Sequence, residues 1–502
     1  DAISRKVYVY KAAGRLVDAE QSLRDYLRFA KEVNLSPFMR SSIYSAAAGL
    51  RFSQRDFGQS LKLAEKSLDL FMQAGRAPYE LGTRNRILDM AIAHAGQKQW
   101  AQAQALIDRI DGTFSQRLSP DQVPYPFERA YIALGMGQYA EAARLFERTA
   151  KYNVSVYGET HFFTAQSRGL QGVALWKKDA SDEALKLLEN AVSLLVSPIN
   201  AEYLDSVGYR PEIRQSIIST YIAALAAKKS DQIHHALGLA DWLRAGSTQE
   251  ALADAAVRAA AQTQGLADLV RQEQDQRNEI KGLRDYLAGQ AGGSQSTLPE
   301  VAAQMRDRII TLEKQRLELQ AKIKAAFPGY DRLVRPLPPK LEEIAKALNP
   351  NEALLFLMPE EQGVHVWAVT QQSDRPVAKH HWAEWPLASL TSDIARLRQP
   401  LEALGETGLV RPFPEALARQ FYQKLIAPLG GELMTKPQWI VAASGPLARI
   451  PFSLLQIESA QGGNPAQWLI DRVALTHVPS VGSWLNLRAL PRNVKPSETL
   501  LA

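Results

Sequence analysis

The hydrophobic pattern of the chain changes character twice. Over residues 1–255 apolar and small residues recur at helical spacing, as expected of helices that bury one stripe. One signature repeats: an apolar residue, small residues three and four places on, then apolar or small ones at seven, ten and eleven. It starts at Leu16 (with Ala19, Leu23 and Leu27), at Phe57 (with Ser60, Leu61, Ala64 and Leu68) and at Trp100 (with Ala103, Ile107 and Ile110). It returns at Tyr139 (with Ala142, Ala143, Phe146 and Ala150) and at Ser181 (with Ala184, Leu185, Leu188, Ala191 and Val192). The starts lie 41, 43, 39 and 42 residues apart. A period of this size predicts a solenoid of helix pairs, in which small residues let paired helices approach and larger ones fill the groove to the next pair. A further helical stretch over 233–255 is expected to cap the solenoid.

Residues 256–326 are more charged. Two helices are expected, over 266–287 and 301–323, with Met305, Ile309, Leu312, Leu319 and Ile323 at heptad positions and Arg316 interrupting the seam. The Gly- and Ser-rich stretch 288–297 between them reads as a flexible loop. An antiparallel hairpin with an exposed tip, open to proteolysis or partner contact, is the expectation. Residues 327–502 change again. A proline-rich lead-in (327–339) and a short helix (341–348) precede a hairpin of strands at 352–357 and 364–370. Helices are expected from Leu387 and over 414–426, and strands at 439–443, 468–470 and 473–475. This alternation predicts an α/β unit. Its hub is Trp439 to Leu455, a buried strand, a turn at Ser444-Gly445-Pro446, and re-entry to the core after Pro451.

Composition narrows the picture only in places. At 502 residues more than one domain is expected. A formal charge of +6 is spread along the whole length, too diffuse to point to direct nucleic-acid binding. The absence of cysteine excludes disulfides, thiolate metal sites and a cysteine nucleophile within these residues. No apolar run approaches the roughly 18 residues of a membrane span. A soluble, cytoplasmic chain is expected over a periplasmic or secreted one. With Asp1 in place of Met and no signal peptide, a processed, trimmed or partial chain is expected.

Candidate chemistry is sparse. Gly135-x-Gly137-x-x-Ala140 has the look of a dinucleotide loop, but no strand precedes it, so it is expected to be a turn between repeat helices. His234 and His235 are neighbours on a helix and His380 and His381 on a strand, so neither pair can chelate one ion. Ser444 and Ser453 lie near strand ends without a nucleophile elbow, and His477 reads as a strand residue. No catalytic residue, metal ligand or cofactor is assigned.

Two resemblances follow from these residues. The repeats, best in Tyr139-Ala-Glu-Ala-Ala143 and Asp182-Glu-Ala-Leu185, resemble tetratricopeptide (TPR) repeats with longer helices than the 34-residue unit. The order Leu348-Asn-Pro-Asn-Glu-Ala-Leu-Leu355, Val366-Trp-Ala-Val-Thr370, Leu425-Ile-Ala-Pro-Leu429, Gly445-Pro-Leu-Ala-Arg-Ile-Pro-Phe452, Trp468-Leu-Ile470 and Val478-Pro-Ser480 resembles the first part of a CHAT domain. Ala240-Asp-Trp-Leu-Arg-Ala-Gly246 fits the layout of the TPR–CHAT family. The resemblance implies an all-α TPR solenoid (1–255), a helical hairpin (256–326) and the non-catalytic N-terminal part of a caspase- and separase-like α/β domain (327–502). It also implies a cysteine endopeptidase whose histidine, in a His-Gly motif, and cysteine follow the Pro-Ser segment. None of the eight histidines here precedes glycine, and the sequence has about 20 residues after Ser480. The implied partners are a protein or peptide on the concave TPR face and the catalytic half of the CHAT domain. The alternative is a non-enzymatic TPR scaffold with a degenerate CHAT segment.

Overall fold

The computed structural model describes residues 6–7, 10, 16–114, 126–197, 200, 211–244, 266–291, 299–326, 338–372, 375–407, 411–458 and 466–489. They fall into two compact units, Asp1–Ala224 and Leu225–Ala502. Parts of the expected cap (245–255), of the hairpin tip (292–298) and of the proline-rich lead-in (327–337) lie outside the described residues.

The first unit is a TPR-like solenoid of antiparallel helix pairs: α1 (Leu16–Glu32), α2 (Pro37–Ser53), α3 (Phe57–Gln73), α4 (Leu81–Gly96), α5 (Trp100–Phe114), α6 (Pro126–Gly135), α7 (Tyr139–Tyr157), α8 (Phe162–Asp179), α9 (Asp182–Leu195) and the start of α10 (Pro211–Ala227). Most of the signature positions are buried, whereas Leu27 is exposed and Leu61 and Leu185 are half-buried. Ala19, Leu23, Ala64, Leu68, Ala103, Ile107, Ile110, Ala142, Ala143, Phe146, Ala150, Ala184, Leu188, Ala191 and Val192 all belong to the core. Polar caps set the starts, with Asp56 accepting from the Gln59 amide and Ser181 from the Ala184 amide. Glycines at the ends of α4 and α6 seat the first aromatic of a neighbouring helix. A Cβ on Gly96 would lie 2.6 Å from the Phe57 ring, and one on Gly135 2.4 Å from the Trp100 ring. Gly137, at φ +77°, turns the chain between α6 and α7. This is the inter-helix turn expected in place of a nucleotide loop.

Arg86 is buried inside this unit. Its Nε donates to Ser41 Oγ and Ser67 Oγ, both at 2.9 Å, and its guanidinium lies 4.0 Å from the Phe71 ring centroid. Burial pushes its pKa down, while Asp89 one turn on pushes it up.

The second unit holds a helical hairpin and a mixed sheet. The hairpin pairs α12 (Leu266–Ala291) with α13 (Pro299–Ala326). Ile309, Leu312, Leu319 and Ile323 are buried at the expected seam. Arg316 is not a break in that seam but part of it: its Nε donates to Glu273 Oε1 at 2.8 Å, with both side chains more than nine-tenths buried.

The sheet has the order β3-β2-β1-β4-β7. β1 (Glu352–Pro359), β2 (Gly363–Gln372) and β3 (Arg375–Glu384) form an antiparallel meander; β4 (Gln438–Ala443) and β7 (Ala474–Val478) add in parallel. Nearly every residue of β1 and β2 is buried, as befits strands covered on both faces. One face packs on α15 (Leu387–Thr407) and α16 (Glu415–Leu425) through Leu355, Val366, Trp439, Leu390, Leu397 and Phe421. The other meets α14 (Leu341–Ala347) and the 3-10 turn Asp231–His234. A short α17 (Gly431–Met434) precedes β4.

Three expectations change. The segment read as the solenoid's cap packs, in its described part, against the sheet. The Trp367 Nε1–H donates to Ile233 O at 2.8 Å, and α11 (Ala236–Arg244) follows directly. Gly238 lets this happen, since a Cβ there would sit 2.0 Å from Pro339 O. The second change is that Trp468-Leu-Ile470 is not one strand: β6 (Gln467–Trp468) pairs with β5 (Gln456–Glu458), and Leu469–Asp471 turns as a 3-10 helix. The third is that Gly445–Arg449 and Phe452–Leu454 are 3-10 turns, with Phe452 and Leu455 buried as expected.

Candidate functional site

Three places could carry function: a groove in the solenoid, the carboxyl ends of the parallel strands, and a histidine cluster on the sheet.

The solenoid holds a groove of about 360 Å3, within the usual range of ligand sites. Its walls come from α2, α3, α4, α6, α7 and α8, including Phe52, Phe127, Tyr157 and Phe163. Asp89 and Glu128 supply its charged groups. Across the same unit Arg55, between α2 and α3, reaches Glu212 at the start of α10 at 2.9 Å. The groove can bind, but it contains no nucleophile–base pair.

At the carboxyl ends of β4 and β7, open α/β sheets present their ligand crevice. Here α18 (Val481–Arg488) starts immediately after β7. Its first three amides are already taken: Val481 N donates to Asp241 Oδ1 at 2.8 Å, Gly482 N to Asp241 Oδ2 at 2.9 Å, and Ser483 N to Ser480 Oγ at 3.0 Å. An internal carboxylate thus occupies the position where a helix N-terminus would hold a phosphate. Arg244, one turn after Asp241 on α11, donates to Leu357 O at 3.0 Å. At its other end α18 is tied by Arg488 to Glu352. Burial raises the pKa of Asp241 to about 6 against the pull of the two amides and Arg244, and lowers that of Arg244 to about 10.

A carboxyl whose folded pKa lies above its unfolded value near 3.9 contributes stability below that value and loses it as pH rises through about 6. Asp241→Asn keeps the shape and removes the titration. The stability of the wild type relative to this variant is expected to fall by about 2–3 kcal/mol between pH 4 and pH 7. Urea unfolding at both pH values measures it.

His365 and His380 meet on the sheet, Nδ1 to Nε2 at 2.9 Å, among the rings of Trp367 and Trp382. They lie on neighbouring strands as a diagonal pair, His365 opposite Trp382 and His380 opposite Trp367. Burial lowers His365 to about 3 and His380 to about 4, and each of the two is lowered further by a nearby imidazole. Two neutral imidazoles hydrogen-bonded to each other cannot act as a base poised near neutral pH. Among the described residues, no group of three or more His, Cys, Asp or Glu side chains is placed to hold a metal ion. Among the same residues no helix is long and apolar enough to cross a membrane.

The residues weighed as nucleophile or base do not converge. Ser444 precedes the 3-10 turn after β4, Ser453 lies in the next turn, and His477 sits on β7 with its ring 5.8 Å from Phe452. His234 ends a 3-10 turn and His235 follows it, while His381 faces away from the His365–His380 pair. What the sequence did not single out is Asp241 as a helix cap and His365 as the partner of His380. An aspartate followed three residues later by arginine in an otherwise apolar short helix was the one available sign of the first.

No family model matches the chain. No curated protein sequence matches it either. Among solved structures, nearly identical TPR-like repeats from a Podosopora anserina kinesin-light-chain candidate align with 39% of this chain and 93% of their own, at 15% identity and a TM-score of 0.31. The assignment of a TPR-like solenoid followed by a mixed sheet rests on the helix pairs and strand order described above.

Proposed function

We propose that the solenoid recognises a protein partner and that the mixed sheet is the non-catalytic part of a CHAT-type cysteine endopeptidase domain. The observation that carries the second half is the edge of the sheet. β7 is a parallel strand whose residues are exposed or half-buried, and among the described residues no strand pairs with its outer side. Parallel strands are ordinarily buried in the interior of a sheet, and an open edge is a template for another strand. The CHAT-like motif order ends at this strand, with Val478-Pro-Ser480. Strands bearing a His-Gly histidine and a cysteine would therefore add beside β7. Imidazole would there raise the thiolate fraction for attack on a peptide carbonyl. On this reading Asp241 and Arg244 hold α18 and the ends of β1 and β7 in place, and are positioning residues.

The test is cleavage. The protein isolated from its native source, incubated with a protein bound to its solenoid, is expected to cut that partner, and iodoacetamide is expected to stop the cutting. A bound partner that stays intact under all activating conditions would favour a non-enzymatic scaffold.

A further inference from the structure

We infer that one edge of the solenoid, built from the α1–α2 and α3–α4 turns, docks an amphipathic helix of a protein partner with acidic residues beside its apolar stripe. This rests on the reading of the solenoid as protein-binding and gives it a surface and a partner chemistry.

A helix of a soluble solenoid buries its apolar stripe and keeps large apolar side chains off its other faces. Among the described residues, most of the solenoid's exposed large apolar side chains gather at one edge. Phe29 lies in the last turn of α1 and Val33 just after it, Phe38 and Met39 at the start of α2, Met72 at the end of α3 and Leu81 at the start of α4. Each is 37–59% exposed. The start of α2 lies beside the end of α3, with Ser41 Oγ donating to Ser67 O at 2.7 Å and the Phe38 and Phe71 rings 5.8 Å apart. The end of α3 lies beside the start of α4, with Thr83 Oγ1 4.0 Å from Met72 Sδ.

The area suits a protein interface. Six large side chains at about two-fifths exposure present roughly 500 Å2 of mostly apolar surface. A standard interface covers about 800 Å2 of each partner, somewhat over half of it apolar. The edge thus supplies the apolar share of one full interface, at the upper end for patches on monomeric proteins.

The charges suit an acidic partner. Arg76 stacks 4.6 Å from the Phe38 ring centroid, and it meets Glu80 only at 3.8 Å. Arg28 meets Asp25 only at 3.9 Å, and Arg40 is exposed with no ion pair among the described residues. Such loose surface pairs contribute little and exchange readily for a partner's carboxylates. Aromatic, methionine and arginine side chains are also the types enriched at protein interfaces. Asp25 and Glu80 would be repelled by anionic headgroups, so the mixed charge favours a protein over a membrane.

The backbone of the solenoid selects a helix. Among its described residues there is no strand, so no strand edge is offered for a partner strand to extend. The docked segment has to satisfy its own backbone groups, which a helix does.

Two methionines on the edge report its occupancy. Met136, equally exposed, lies in the α6–α7 turn at the opposite edge and serves as control. The protein from its native source with its bound partner, and the pure chain alone, are treated with dilute peroxide, and oxidation is read by peptide mass. The partner is expected to slow oxidation of Met39 and Met72 severalfold and to leave Met136 unchanged. A bound partner that protects Met136, or none of the three, would overturn this surface and leave a partner-binding solenoid. A native chain that holds no second protein would overturn both. Protection that rises with concentration in the pure chain would overturn the assigned partner in favour of a second copy.

In parallel, eighteen-residue amphipathic peptides with glutamate or lysine beside one leucine stripe are compared by fluorescence anisotropy on the whole chain. The glutamate peptide is expected to bind more tightly. Met39→Ser/Leu81→Ser is expected to weaken it about tenfold, and Arg40→Glu/Arg76→Glu to reverse the preference. Equal binding of the two peptides, or binding to anionic phospholipid vesicles in preference to both, would overturn the partner chemistry.

Discussion

Replacing Arg316 or Glu273 by alanine, one at a time, is expected to destabilise the helical hairpin by about 3–5 kcal/mol. Each change removes the partner of a charge that is largely buried between α12 and α13. Arg316 is 7% exposed and Glu273 5%. Glu273 Oε1 accepts from Arg316 Nε at 2.8 Å and from Gln320 Nε2 at 3.1 Å, so its loss strands two donors. The double change Glu273→Leu/Arg316→Met removes both charges and fills the seam between Leu312 and Leu319. It is expected to be as stable as the wild type or more so, because the desolvation of both ions disappears with their attraction. Hydrogen exchange of the α12 and α13 amides reads the hairpin separately from the sheet. Equal protection in wild type and single variants would show that the pair contributes nothing.

Acidification should weaken the sheet through His365. Its folded pKa, near 3, lies far below the unfolded value near 6.5. A depressed histidine contributes its full stability above the unfolded pKa and loses it as pH falls toward the folded one. At pH 4.5 the unfolded chain has taken the proton and the folded chain has not, a loss of about 3 kcal/mol relative to pH 7.5. His380, half-buried, adds a smaller loss of the same sign. His365→Gln keeps a polar partner for His380 and cannot titrate. Wild type and variant, unfolded in urea and followed by tryptophan fluorescence, should differ in pH dependence by that amount. Parallel pH curves would contradict it. Asp241 acts in the opposite direction over an overlapping range, so only the difference between each variant and the wild type isolates one group.

Periodicity made the solenoid legible. The five signature starts fall on α1, α3, α5 and α7 and on the cap of α9, because a stripe buried against neighbouring helices has to repeat at helical spacing. The strands β1, β2 and β4 were legible for the complementary reason: strands covered on both faces are uninterrupted apolar runs. Trp468-Leu-Ile470 misled because a short apolar run is equally consistent with a turn that drops one leucine into the core, and Leu469 alone is fully buried there. Arg316 looked like an interruption because a heptad pattern scores apolarity and cannot see a carboxylate 43 residues away. The docking of 233–244 on the sheet was hidden for the same reason. Its contacts, Asp241 to Val481 and Trp367 to Ile233, join residues more than 130 positions apart.

The central claim is that β7 is an inner strand of a peptidase sheet, with the catalytic pair on strands beyond it. Intact-mass measurement and peptide mapping of the protein from its native source test this most directly. A mass and C-terminal peptides that continue past Ala502 into a His-Gly motif and a cysteine are the predicted result. A native C-terminus at or near Ala502, with no separate chain bearing those residues bound to it, would contradict the claim.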